Sequence, residues 1–258
     1  MDGQAWSLGA GLDDRGVIVT GAASGIGKAT VRAMANAGAR VVAVDRDEAG
    51  ATATVDVLDQ PDRHMAIGFD LRDVPGIPDL VDRAVNAVGD LWALAHVAAV
   101  LVRQPLDKVT EDDWDLQLDV NLKASFFLNR AVGNAMVEAG KGGRIINFTS
   151  GSWLIGPGSG SHAYVASKGG VVSMSRGFAK HYGPRNILVN TVSPGQIDTP
   201  MQHVDNPREI VEAGIAACPL GRIGQPEEVA AVVVFLASQH ASFISGATIN
   251  VSGASIMY

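Results

Sequence analysis

Short apolar runs alternate along the chain with longer stretches whose apolar residues recur at helical spacing. Val17-Ile18-Val19 ends at Thr20-Gly21, and Ile26, Ala29, Thr30, Ala33 and Ala37 then follow helical spacing up to a stop at Gly38. Arg40-Val41-Val42-Ala43-Val44 is a second strand-like run and ends on Asp45. A polar segment leads to a third run at residues 64–69, with Asp70 beyond it. A helix is expected after Pro78 and ends at Gly89, followed by a buried strand over residues 91–98. The pattern predicts a long helix from about Thr110 to Glu138 and a strand over residues 144–148. The helix that carries Tyr164 runs to about Tyr182, before Gly183-Pro184, and residues 186–192 form the next strand. Gln225-Pro226-Glu227-Glu228 opens a helix through Leu236, with proline in its first turn and acids at the positive end of its dipole. Residues 247–251 close the chain as a final strand.

Strands alternating with helices imply a parallel sheet covered on both faces. The chain has no Pro/Ser-rich linker, internal repeat or low-complexity tract, so residues 1–258 are expected to form one α/β domain, with 1–14 as an irregular arm pinned by Trp6 and Leu8. A hydrophobic content of 47% supports a full core. The net charge of −7, with Lys and Arg scattered, provides no basic footprint for nucleic acid or for an anionic membrane surface. The single cysteine, Cys218, excludes an intrachain disulfide, argues against a cysteine zinc site and is expected to be a buried small hydrophobe. Met1-Asp2-Gly3-Gln4 lacks the features of a secretory signal, and the apolar run at 91–102 is too short to span a bilayer and is broken by His96. A cytoplasmic protein is expected.

Two features carry candidate chemistry. Gly21, Gly25 and Gly27 allow a tight strand-to-helix turn in which the helix N-terminus presents unpaired N–H groups to an anion. Their spacing is G-x-x-x-G-x-G, and Asp45 at the end of the next strand can accept hydrogen bonds from ribose hydroxyls. That pair serves methyl transfer as well as hydride transfer. Tyr164 and Lys168 lie at i and i+4, on one helical face. A lysine cation near a phenol lowers its pKa from about 10 toward the range where acid–base catalysis works. Alone, the pair also fits an ordinary helix with an exposed lysine.

Together these segments resemble the short-chain dehydrogenase/reductase family, from about residue 12 to residue 253. Thr20-Gly21-Ala22-Ala23-Ser24-Gly25-Ile26-Gly27 looks like its cofactor turn, and Asp70-Leu71 sits where its adenine contact lies. Val120-Asn121-Leu122 resembles the segment with its catalytic asparagine, and Ile146-Asn147-Phe148-Thr149-Ser150 the strand end with its catalytic serine. Ser193-Pro194-Gly195-Gln196-Ile197-Asp198-Thr199-Pro200-Met201 resembles the loop over the nicotinamide. The resemblance implies a single-domain, Rossmann-like, doubly wound parallel sheet with helices on both faces, and a secondary alcohol and ketone as substrate pair. It implies that Tyr164 is the acid–base, that Lys168 lowers its pKa and touches the nicotinamide ribose, that Ser150 hydrogen-bonds the substrate oxygen, and that Asn121 holds a water in a proton relay. Cofactor contacts are expected from Gly21, Ser24, Gly25, Ile26, Gly27, Asp45, Arg46, Asp70, Leu71, Val97, Ala98, Pro194, Gly195, Ile197 and Thr199, besides Tyr164 and Lys168. Asp45 favours NAD, while Arg46 beside it softens that preference.

The family's Asn-Asn-Ala-Gly reads here as His96-Val97-Ala98-Ala99, with His96 expected to be a satisfied core histidine; its Asp-Gly-Gly near the C-terminus reads Ser252-Gly253-Ala254. The substrate pocket is expected from Ser152, Trp153, Leu154, His162 and the 196–218 segment including Gln196, with Arg103 as a further polar contact. The family resemblance also implies homotetramers, built on the Tyr164 helix and the long helix before it. The former carries a stripe of small residues at Ala166, Gly170, Ser173 and Gly177. Alternatives are an NADP-dependent 3-oxoacyl-type reductase, a non-catalytic NAD-binding relative and a methyltransferase; the last two have no need of the Ser150, Tyr164 and Lys168 set.

Overall fold

The computed structural model describes residues 6–157 and 160–258. Each apolar run enters one parallel sheet: β1 (Gly16–Thr20), β2 (Arg40–Asp45), β3 (Met65–Gly68), β4 (Leu91–His96), β5 (Gly143–Phe148), β6 (Ile187–Pro194) and β7 (Thr248–Val251). The seven strands lie in the order β3-β2-β1-β4-β5-β6-β7. Helices α1 (Gly25–Asn36) and α10 (Pro226–Ala237) cover one face, where Val17, Val19, Val41, Ala93 and Ile146 pack against Val31, Met34, Val229 and Val233. On the other face Ile18, Val42, Leu94, Ile145 and Val189 meet Leu80 and Ala84 of α3 (Ile77–Val88), Leu128 and Val132 of α5 (Ala124–Ala139) and Phe178 of α7 (His162–Tyr182). Alternate residues of a strand point to opposite faces, and both faces are buried, so the strands read as continuous apolar runs.

The remaining helices are α2 (Glu48–Val55), α4 (Glu111–Leu118), α6 (Ser152–Ile155), α8 (Pro200–His203) and α9 (Arg208–Ala217). Four expectations change. The polar segment after Asp45 contains α2, started by Asp47, whose carboxylate accepts from the Gly50 N–H at 3.0 Å. The long helix over 110–138 is split by a π-helical turn, Asp119–Lys123, which carries Asn121. The strand expected to reach residue 98 ends at His96, which leaves Val97 and Ala98 free to turn back over β1. Cys218 is half-buried instead of fully buried, because it sits at the end of α9 with its thiol 3.4 Å from the Gly253 carbonyl. In the arm, Trp6 is exposed and stacks on His240 with ring centroids 5.4 Å apart, while Leu8 packs against the core; residues 1–5 lie outside the described range.

Strand order reverses between β1 and β4. At such a switch point the loops beyond the carboxyl ends of the strands diverge and open a crevice for a ligand. Thr20-Gly21 and His96-Val97-Ala98 come from those two strand ends.

Candidate active site

The glycine turn at this crevice is strained in ways only glycine tolerates. Gly21 and Gly25 have φ of +72° and +49°. A Cβ on Gly27 would sit 1.9 Å from the Gly21 carbonyl oxygen, so α1 can approach β1 only through a bare backbone. Ser24 precedes α1 in extended geometry but forms no side-chain cap, and no acid occupies the first turn. The helix therefore offers its first N–H groups to an outside anion, the property a dinucleotide pyrophosphate needs. Thr199 closes over the turn, its Cγ2 3.0 Å from where a Gly25 Cβ would stand, and Ala98 packs as closely on Gly21. The residues present fit a dinucleotide.

Asp45 joins that turn to α2. Its Oδ2 accepts from the Ala23 N–H at 3.0 Å and its Oδ1 from the Asp47 N–H at 3.0 Å, which leaves further lone pairs for hydroxyl donors. Arg46 beside it is exposed. Asp70 is gripped by Arg72, with contacts of 3.0 and 3.1 Å from Nε, and this hydrogen bonding holds its carboxyl below the usual range; Leu71 is buried. Pro194 ends β6, the Gly195 N–H bonds the Val251 carbonyl at 2.9 Å, and Ile197 is buried.

The candidate proton-handling groups stand where β5 meets α7. The Thr149 hydroxyl donates to the Lys168 carbonyl at 2.8 Å, and Lys168 Nζ donates to the Phe148 carbonyl at 2.9 Å, so helix and strand end are locked together. Lys168 is 3% exposed, and burial lowers its pKa to about 7. Dense packing around Tyr164 pushes the phenol up to about 12, although a hydrogen bond from Ser150 and the charge of Arg103 act the other way. In the protein alone, burial of the phenol outweighs the groups that lower its pKa. The ammonium faces a carbonyl and the tyrosine ring, and desolvation outweighs the rest. The structure brings Ser150, Tyr164 and Lys168 together as expected.

Asn121 is bound more fully than its type suggested. Its Oδ1 accepts from the Val100 N–H at 2.8 Å, while Nδ2 donates to the Val100 carbonyl at 2.9 Å and to Ser167 Oγ at 3.1 Å. Ser167 in turn donates to the Tyr164 carbonyl at 2.7 Å. The asparagine thus straps the loop after β4 to the tyrosine helix. His96 is the satisfied core histidine expected, with Thr20 Oγ1 at 2.9 Å from Nδ1 and Ser125 Oγ at 2.8 Å from Nε2.

Ser152 Oγ lies 2.9 Å from Ser150 Oγ, and Trp153 meets Tyr258 edge-on with centroids 5.8 Å apart. Trp153 Nε1 and Gln196 Oε1 are buried without partners, which makes them natural contacts for a polar substrate. Leu154 is exposed, and His162 opens α7 half-buried. Arg103 donates to the Val204 and Met201 carbonyls at 2.7 and 3.1 Å, bridging to the α8 segment. Sequence reasoning missed Ser125, Ser167 and Tyr258; a serine one turn beyond Asn121 and another one turn beyond Tyr164 were the available signals for the first two. Among the described residues no cluster of His, Cys, Asp and Glu could hold a metal ion, and no helix is long and apolar enough to cross a membrane.

The family described as enoyl-(acyl carrier protein) reductase matches residues 21–254. D-threitol dehydrogenase of Mycolicibacterium smegmatis is 38% identical over 94% of this chain and 93% of its own length. The 3-oxoacyl-[acyl-carrier-protein] reductase FabG of Thermotoga maritima is 36% identical over 94% of this chain and 98% of its own. A solved structure of a candidate short-chain alcohol dehydrogenase from Sinorhizobium meliloti superposes with a TM-score of 0.91 at 31% identity, covering 96% of this chain and 98% of that one. With sequence and backbone matched over nearly the whole length, this chain belongs to the short-chain dehydrogenase/reductase family, nicotinamide-dependent oxidoreductases acting on CH–OH and keto groups.

Proposed function

We propose that the chain interconverts a secondary alcohol and a ketone, prefers NAD(H), and uses Tyr164 as its acid–base. The observation that carries this reading is the convergence of Ser150, Tyr164 and Lys168 at the carboxyl end of β5, the same end of the parallel sheet at which the glycine turn follows β1. The nicotinamide, when bound, supplies the hydride acceptor or donor. Ser150 holds the substrate oxygen, and Tyr164 takes its proton during oxidation or returns one during reduction. Lys168 provides the positive charge that favours the phenolate, and Asn121 keeps the tyrosine helix and the β4 loop in register for the proton's exit. Asp45 supports NAD, since its carboxylate accepts ribose hydroxyls and repels a 2′-phosphate. Gly21, Ser24, Gly25, Ile26 and Gly27 cradle the pyrophosphate, with Val97, Ala98, Pro194, Gly195, Ile197 and Thr199 around the rest of the cofactor. Ser152, Trp153 and Gln196 face the substrate.

One cytoplasmic unit spanning residues 1–258 holds all these groups, and it assembles as a homotetramer. Ala166, Ser173 and Gly177 are exposed, and Leu122, Phe126 and Met174 line an open apolar surface beside them. A monomeric mass by light scattering at micromolar protein overturns the assembly. The second reading, an NADP-dependent 3-oxoacyl-type reductase, is favoured by the name of the Thermotoga relative and by exposed Arg46. The test is NADH fluorescence with NAD or NADP over cyclic alcohols, D-threitol and 3-hydroxybutyryl-CoA. Turnover of one alcohol with NAD, lost in Tyr164→Phe, is expected. Turnover confined to the thioester with NADP establishes the second reading instead.

A further inference from the structure

A directed line of hydrogen bonds joins the cofactor turn to the catalytic asparagine through His96. The Ala98 N–H donates to Thr20 Oγ1 at 3.1 Å, which leaves the threonine proton for His96 Nδ1 at 2.9 Å. On the far side the Ser125 hydroxyl donates to the Asn121 carbonyl at 2.7 Å, so its oxygen is open to a proton on His96 Nε2 at 2.8 Å. The Ser125 end calls for an Nε2–H donor, and in a neutral ring Nδ1 is then the acceptor, which the Thr20 hydroxyl can satisfy. Thr20, His96, Ser125 and Asn121 are all buried, and burial together with the charge of Lys168 lowers the imidazole pKa to about 3, so the neutral form is held.

Register explains why these groups meet. Thr20 pairs with His96 across β1 and β4, so both point to the face covered by α5, which carries Ser125. The Asn121 carbonyl lies in the π-helical turn, where the helical ladder is displaced by one residue and a side-chain donor is useful. An asparagine at position 96 could reach Thr20 but is too short to reach Ser125 as well. The imidazole has a nitrogen for each.

We propose that His96 is a positioning residue, a neutral Nε2–H donor that sets the Asn121 turn, and through it the Tyr164 helix, against the glycine turn of the cofactor site. The proposal rests on the catalytic reading given above for Asn121 and Tyr164. It has a consequence that simple core packing lacks: the reach to Ser125, not side-chain volume, decides function.

The test compares His96→Asn, which keeps a group opposite Thr20, with His96→Gln, which keeps a donor near Ser125. Three measurements apply: histidine side-chain ¹⁵N NMR of the wild type from pH 5 to 9, hydrogen–deuterium exchange over residues 119–125, and kinetics with NAD on the alcohols named above. The expected NMR result is a non-titrating Nε2–H signal lost in both variants. His96→Asn is expected to raise exchange in 119–125 and to lower kcat about tenfold, with NADH affinity within about twofold of wild type; His96→Gln should recover most of the kcat. An Nδ1–H tautomer, unchanged exchange in His96→Asn, or equal loss of kcat and NADH affinity in both variants overturns the proposal. If the wild type binds NADH but oxidises none of the alcohols, the catalytic reading fails, and tautomer and exchange still decide the wiring of His96.

Discussion

The ammonium of Lys168 lies 5.6 Å from the centroid of the Tyr164 ring, over its face. Burial moves the two groups in opposite directions, phenol up and ammonium down. A buried amine that is reluctant to carry charge costs folding free energy whenever it must.

That cost predicts a pH dependence. Below pH 7 Lys168 is protonated in both states and the full cost is present; between about 7 and 10.5 the unfolded state holds the extra proton, so stability rises with pH. Lys168→Met is expected to melt higher than the wild type at pH 6, by up to a few kcal/mol of stability, less what the unpaired Phe148 carbonyl takes back. The advantage should shrink as pH climbs toward 10.5. A difference independent of pH in the cofactor-free protein would show an ordinary charged lysine.

Tyr164→Phe keeps the ring and removes the proton donor. Turnover should fall by about 10²–10⁴ or more while NADH binding is largely kept, since general acid–base help is of that size. Stopped-flow kinetics and NADH fluorescence read the two effects separately, and near-normal turnover would remove Tyr164 from the mechanism.

For Asp45→Ser the expectation is a narrower gap between cofactors. The substitution weakens NAD by removing the hydroxyl acceptor and relieves the repulsion of a 2′-phosphate. It also frees the Ala23 and Asp47 N–H groups, so a modest drop in melting temperature should accompany it. The measurement is kcat/KM with each cofactor on one alcohol; equal values in the wild type would assign control to Arg46.

Gly27→Ala tests the close approach of α1. Alanine normally favours a helix interior over glycine by about 1 kcal/mol. Here its Cβ meets the Gly21 carbonyl oxygen at 1.9 Å and the Thr20 carbonyl oxygen at 3.1 Å, both main-chain atoms that cannot swing away. A net loss of about 1–3 kcal/mol and weaker NADH binding are expected in calorimetry. A variant as stable and as tight as the wild type would mean the turn can open.

By itself the sequence determined the sheet, the glycine turn and the Tyr164–Lys168 spacing, because each is written locally. Strands buried on both faces read as apolar runs, and residues at i and i+4 must share a helical face. The helix at Glu48–Val55 escaped for the same reason, since its Gly, Thr and Ala residues carry no clear amphipathic period. Only tertiary structure decided which groups each functional residue touches. Thr20 and His96 are 76 residues apart, Arg103 and Val204 are 101 apart, and Lys168 finds its acceptor on a neighbouring strand end. Neither the π-helical turn at Asn121 nor the contacts of His96 with Thr20 and Ser125 have a local signature. The histidine contacts close only when β1, β4 and α5 pack together, so that buried polar groups satisfy one another.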